Sequence, residues 1–237
     1  MKNMMSKHRN LVGWLTLLSG VIGFISYFLV VGSVNYNFEF FSDPTLIFTI
    51  DGASSSMLKW SMITDMFGYY LLMLPVLFFI HEWMEDKTGW RHVFTFCGAS
   101  YIFAGALGAS ILGASWPVLL DKFPQATPEQ QEIIKSSFEN LSLIVGNGIW
   151  NFFDALLFAV WFIAIGIFIK RENAVWGWFT IIVGLLSALD FAGNALGLKA
   201  ISEIALNLYL ILAPLWAIGF GLALKRNKVL LQTQKGI

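Results

Sequence analysis

Six long apolar stretches, separated by short polar connections, dominate the pattern of hydrophobic and polar residues along the chain. A helix of ~20 apolar residues is long enough to cross the roughly 30 Å hydrocarbon core of a bilayer. The pattern therefore predicts an all-α fold, a single polytopic membrane domain over residues 1–237 that forms a bundle of six transmembrane helices. The predicted spans cover about 11–31, 60–80, 91–115, 141–169, 175–197 and 204–224.

The composition agrees with this pattern. Hydrophobic residues make up 57% of the chain and charged residues only 13%, and the mean hydropathy is +0.69. A soluble domain of this length is far more polar, so the lipid bilayer is the predicted main partner. The net charge is zero and one predicted face is acidic, so nucleic acid is not expected as a partner. No cofactor is predicted.

Lysine and arginine are distributed unequally between the two sides of the predicted bundle. Eleven lie in the two tails and in the second and fourth connections, whereas Lys59, Lys122, Lys135 and Lys199 lie on the opposite side. Loops that carry an excess of basic residues stay in the cytoplasm. The distribution therefore predicts that both termini are cytoplasmic.

Three aspartates interrupt the apolar spans at nearly the same depth. Counted from the predicted cytoplasmic boundary of its own span, Asp65 and Asp154 each lie 16 residues in, and Asp190 lies 18 residues in. At ~1.5 Å per residue, all three are ~24–27 Å from that boundary, in the outer leaflet. Ionisable groups inside a span are costly and usually face a bundle interior or a water-filled cavity. This layer is the predicted functional site.

Other polar residues accompany the aspartates at helical spacing. Asn147, Asn151 and Asp154 follow i, i+4, i+7 spacing and share one helix face, and Asp190 and Asn194 repeat the i, i+4 pair. Polar faces in lipid turn toward one another or toward water. The candidate binding residues are therefore Asp65, Tyr69, Asn147, Asn151, Asp154, Asp190, Asn194 and Asn207.

Two interpretations of this layer stay open. In the first, the layer lines an outward-facing acidic cavity that binds or transports a small cation, an amine or protons, because no basic residue lies inside the spans to neutralise the aspartates. In the second, the aspartates hydrogen-bond to neighbouring helices as structural groups. The protein would then be a non-catalytic accessory or stress-related membrane protein. The almost wholly apolar inner halves of the spans argue against a simple open channel.

A membrane enzyme is a third interpretation. His81 and Glu85 lie one helical turn apart, and His92 could complete a set of three metal ligands. The second histidine of the H-E-x-x-H motif is missing, however, and the sequence shows no Ser-His-Asp order of a catalytic triad. We therefore predict no metal site and no catalytic residue, and a non-enzymatic protein is favoured.

The second outer connection contains a helix start. Thr127-Pro128-Glu129-Gln130 has a Thr N-cap, Pro at the first helical position and Gln at the third. A helix that begins there is predicted to run outside the membrane and then to enter it as the fourth span. Gly146-Asn147-Gly148 is the predicted place for a bend, because two glycines in three residues weaken a helix.

Three segments resemble a bacterial family of six-helix integral membrane proteins of unknown function. They are Ile63-Thr64-Asp65-Met66, Leu186-Ser187-Ala188-Leu189-Asp190-Phe191, and the run from Leu215 to Gly221. The resemblance covers nearly the whole chain. It implies six spans and a bacterial cytoplasmic (inner) membrane, and it implies no activity, ligand or catalytic residue.

Overall fold

The computed structural model of the chain describes residues 2–230, with side chains described from residue 8 onward. Within that part the secondary structure is helical, without strands. Six of its helices are long and apolar enough to cross a membrane, which confirms the predicted fold class. We number them α1 to α6, and their bounds are Lys2–Ser33, Ser55–Trp83, Arg91–Lys122, Pro128–Lys170, Ala174–Leu196 and Lys199–Lys225.

The helices are longer than the apolar stretches that predicted them. The largest difference is in α4, which begins at Pro128, 13 residues before the predicted span at 141. The predicted cap is present: the Thr127 side chain accepts a hydrogen bond from the Gln130 backbone, and the Gln130 side chain accepts one from the Thr127 backbone. Hydropathy locates only the apolar part of a helix, whereas caps determine where the helix begins.

The six helices form a closed ring in sequence order. Each helix packs against the one before it and the one after it, and α6 returns to pack along α1. Small residues allow this last contact: a Cβ placed on Gly221 would lie 2.6 Å from the Gly13 carbonyl oxygen. A ring leaves its axis to be filled by side chains, and the two halves of this ring are filled differently.

The two ends of the ring are named here for use below. The terminal end contains the beginning of α1, the end of α6 and the connections 84–90 and 171–173. The cavity end contains the connections 34–54 and 123–127, together with the tight turn between α5 and α6.

Large aromatic side chains fill the axis in the half nearer the terminal end. The ring centroids of Phe158 and Phe162 are 3.9 Å apart, those of Phe162 and Trp216 are 4.7 Å apart, and those of Trp216 and Phe220 are 4.5 Å apart. All four side chains are buried. This aromatic core closes the axis there, because interiors packed this closely leave few voids larger than a water molecule.

Two helices are irregular in the other half of the ring. In α2, wider π-helical turns at Met66–Tyr70 and a tighter 3₁₀ turn at Leu71–Met73 separate two α-helical segments. Pro75 contributes to the break because it has no N–H for the helical hydrogen bond. In α4, π-helical turns run over Ile144–Asp154 and include the glycine pair where a bend was predicted. Such turns occur frequently at functional sites.

The connection 34–54 folds over the cavity end. It contains two short 3₁₀ helices, Phe38–Phe41 and Pro44–Phe48, which begin at side-chain caps from the residues that precede them. Phe40 is buried and packs edge-on against Trp116 of α3, with 5.8 Å between the ring centroids. The connection, which we call the capping loop, is therefore anchored to the bundle.

The terminal end is tied together by charged groups. Lys87 Nζ and Glu172 Oε1 form an ion pair at 2.8 Å between two connections. The Arg9 guanidinium donates to the carbonyl oxygens of Leu224 at 3.1 Å and Leu230 at 3.0 Å, and so joins α1 to the end of α6. These contacts hold both ends of the described chain on one side of the ring.

Candidate functional site: an acidic cavity in one half of the ring

A cavity of about 270 Å³ occupies the ring axis in the half nearer the cavity end. Asp65 from α2, Asp154 from α4 and Asp190 from α5 all line it. The described residues that line this cavity include no lysine, arginine or histidine. The three aspartates that the sequence placed in one layer therefore border one common space. They differ in how many hydrogen bonds their carboxyl groups accept from the protein.

Asp190 is held by the protein through one of its two carboxyl oxygens. It is 4% exposed, and its Oδ1 accepts hydrogen bonds from Ser202 Oγ at 2.6 Å and from Asn194 Nδ2 at 2.9 Å. Gly197 has a left-handed φ of 70° and ends α5, so that α6 turns back and brings Ser202 alongside. Asp190 thus links the two helices across their tight turn.

The side chain of Asp154 has one hydrogen-bond partner among the described residues. It is 5% exposed, at the last residue of the π-helical segment of α4. The Tyr70 hydroxyl from α2 donates to Asp154 Oδ2 at 3.2 Å. This single contact crosses the ring and leaves most of the hydrogen-bonding capacity of the carboxyl group unused.

Asp65 presents an unpaired oxygen. Its Oδ2 atom is buried and, among the described residues, has no hydrogen-bond partner. The residue directly precedes the π-helical segment of α2, which sets its position at the cavity wall. A buried polar atom without a partner costs about 1–3 kcal/mol, so native proteins rarely retain one without a reason.

The other predicted site residues divide into two groups. Tyr69, Asn147 and Asn151 line the cavity. Asn194 donates a hydrogen bond to Asp190 Oδ1. Asn207 is exposed, and its side chain donates to the backbone of its own helix at Glu203 O, 2.8 Å away. Neither of these two asparagines is among the lining residues.

Several lining residues were missed by the sequence interpretation. Ser26 and Tyr27 come from α1, and Phe40, Phe41 and Ser42 come from the capping loop. The signal that could have found Ser26 is its seven-residue spacing from Ser19 and from Ser33, which places three buried serines on one face of α1. The loop residues reach the cavity through tertiary folding, for which the local sequence carries no periodic signal.

A layer of four tyrosines closes the inner end of the cavity, and three of them, Tyr69, Tyr70 and Tyr209, line it directly. The Tyr69 hydroxyl donates to Leu210 O at 2.8 Å, and the Tyr101 hydroxyl donates to Tyr69 O at 3.0 Å. The hydroxyls of Tyr101 and Tyr209 are 3.0 Å apart. Together with Tyr70, they form what we call the tyrosine layer.

A second, much smaller space lies beyond this layer. Its volume is about 20 Å³, close to that of one water-sized probe, and Tyr69 and Tyr209 border both spaces. The tyrosine layer therefore separates the acidic cavity from the aromatic core.

The histidines lie elsewhere. His81 Nδ1 is 2.7 Å from Thr95 Oγ1, and the rings of His81 and His92 are 5.1 Å apart, near the terminal end. Across the residues that the structure describes, no group of three or more His, Cys, Asp or Glu side chains could hold a metal ion.

Comparison with known proteins gives no relative from which a role could be transferred. No protein-family model matches the chain, and neither a curated protein nor a solved structure matches it. The fold and the cavity define an integral membrane protein with six spanning helices, and its function must be argued from the cavity itself.

Proposed function

We propose that the protein binds a small cationic solute, namely a cation, an amine or protons, in the acidic cavity. The observation that carries this proposal is the unpaired, buried Oδ2 of Asp65 beside two further carboxyl groups. A cation supplies the positive charge that the lining residues lack, and an ammonium group can also donate a hydrogen bond to a carboxyl oxygen.

We further propose that the cavity faces the outside of the cell, with both termini in the cytoplasm. The support is the excess of lysine and arginine at the terminal end. A bacterial cytoplasmic membrane is proposed on the family resemblance of the three segments named above.

Transport of the solute is the more demanding form of the proposal. It needs a path through the tyrosine layer and the aromatic core, both of which are closed by side-chain packing. The irregular turns of α2 next to Asp65 are the feature that favours such a movement, because they interrupt the regular helical hydrogen bonds. Binding alone needs no path through these layers.

The competing function is that of an accessory protein whose aspartates are structural. Asp190 favours it, because both groups that donate to its Oδ1 come from the protein itself. Asp65 fits this function less well, because its buried Oδ2 atom accepts no hydrogen bond from the described residues. The two functions therefore differ in the role of Asp65, which is to bind a ligand in the first and to support the fold in the second.

Thermal unfolding of the purified protein in lipid nanodiscs tests the proposal. Na⁺, K⁺ and a series of ammonium compounds are added at constant ionic strength to the wild type and to Asp65→Asn. A ligand stabilises only the state that it binds. We expect at least one cation to raise the melting temperature of the wild type and not that of Asp65→Asn. Equal shifts in both proteins, or no shift with any cation, would contradict the proposal.

A further inference from the structure

We propose that the ligand is an organic amine with an apolar body about the size of one aromatic ring, bound with its ammonium group at Asp65 and its body against the aromatic walls. This inference rests on the proposed function and narrows it to one class of cation. Three features of the cavity carry it: its volume, the chemistry of its walls and the position of its charges.

The volume fits an organic molecule. At about 270 Å³ the cavity is close to the lower end of the ~300–1,000 Å³ range of small-molecule sites. A bare metal ion or a single ammonium ion would leave most of that space unfilled. A ring with a short amine chain would occupy much more of it.

The walls fit an apolar body. Apart from the tyrosine layer, aromatic side chains from four separate parts of the chain line the cavity, among them Tyr27, Phe41, Trp116 and Trp150. Apolar and aromatic walls with a few placed polar groups are typical of small-molecule sites, and aromatic faces also attract cations.

The carboxyl group of Asp65 lies deeper in the ring than the capping loop does. Asp65 is ten residues from the first residue of α2, about 15 Å along the helix, whereas Phe41 is in the loop at the cavity end. A ligand with its ammonium group at Asp65 would therefore point its apolar body toward the cavity end.

An inorganic cation fits the site less well. It would need several free oxygens at one point, and Asp190 Oδ1 already accepts two hydrogen bonds.

The capping loop provides a matched pair of variants. Phe41 lines the cavity, whereas Phe38, three residues earlier in the same 3₁₀ helix, does not. Both side chains are exposed, and their ring centroids are 6.5 Å apart. Phe41→Ala removes part of the apolar wall, and Phe38→Ala removes a similar ring without touching the cavity.

The experiment measures binding to the full chain in nanodiscs by calorimetry. The probes are phenethylamine, its neutral analogue 2-phenylethanol, and methylammonium. We expect phenethylamine to bind most tightly, and each of the other two to bind more weakly by roughly tenfold or more, because each lacks one of the two recognised parts. Phe41→Ala should weaken phenethylamine binding several-fold without changing that of methylammonium, and Phe38→Ala should change neither.

The outcomes separate this inference from the proposed function. Binding of methylammonium or Na⁺ as tight as that of phenethylamine would overturn the inference and leave the cation site intact. Binding of 2-phenylethanol as tight as that of phenethylamine would overturn both, because charge would then play no part. Equal effects of Phe41→Ala and Phe38→Ala would overturn the assigned position of the apolar body.

Discussion

The ring of Tyr70 lies directly against the backbone of Gly105. A Cβ added at Gly105 would be 1.8 Å from Cε1 of Tyr70, far closer than two non-bonded carbon atoms can approach. Glycine on α3 therefore leaves the space through which Tyr70 of α2 reaches Asp154 of α4. One small residue thus permits a hydrogen bond between two other helices at the inner end of the cavity.

Gly105→Ala should destabilise the protein because the buried Tyr70 ring has to move. Overpacking of this kind costs typically about 1–3 kcal/mol. We expect the variant to unfold at a temperature several degrees below that of the wild type in nanodiscs.

Gly148→Ala is the matched control for that variant. It also lies in a helical segment near the cavity, but a Cβ there would meet nothing within 4 Å. Alanine is favoured over glycine in a helix by up to about 1 kcal/mol, so this variant should unfold at the same or a higher temperature. If the two variants behaved alike, the close packing of Tyr70 on Gly105 would be wrong.

The orientation of the cavity can be tested by cysteine labelling. Gln125 is exposed at the cavity end and Gly89 is exposed at the terminal end. Each is changed to cysteine in a Cys97→Ala background, because Cys97 is the one native cysteine of the chain. A membrane-impermeant maleimide should label Gln125→Cys in intact cells and Gly89→Cys only after permeabilisation. The reverse pattern would place the cavity on the cytoplasmic side.

Much of the fold could be predicted from the sequence because its signals are local. Each span contains an apolar run longer than a bilayer is thick, and Thr127 and Gln130 form the N-terminal cap that their spacing predicts. The irregular turns at Met66–Tyr70 were not predicted. They depend on how α2 packs against its neighbours, which no local pattern records.

The site was predicted only in part, for a related reason. A shared depth in the apolar spans, supported by stripe spacing, led to Asp65, Asp154 and Asp190, because a carboxyl group in an apolar span has few places to face. The same spacing also selected Asn207, yet that side chain is exposed and hydrogen-bonds to its own helix. Periodicity shows that residues share a face, whereas tertiary packing decides which way the face turns.

Asp65 and Asp190 are predicted to have opposite roles, and replacing each with alanine tests this most directly. Both variants remove the same number of atoms from the same cavity wall. Asp190→Ala removes the carboxyl oxygen to which Ser202 Oγ donates, and one of several acceptors of Asn194 Nδ2, so it should lower the free energy of unfolding by about 1–3 kcal/mol. Asp65→Ala removes a buried oxygen that has no partner in the described chain, so it should leave stability unchanged or raise it.

The decisive measurement is the thermal unfolding of these two variants beside the wild type, in nanodiscs and without added ligand. The proposed function predicts that Asp190→Ala melts below the wild type and that Asp65→Ala melts at the same temperature or above it. A fall in melting temperature for Asp65→Ala as large as that for Asp190→Ala would contradict the account, because Asp65 would then serve the fold rather than a ligand.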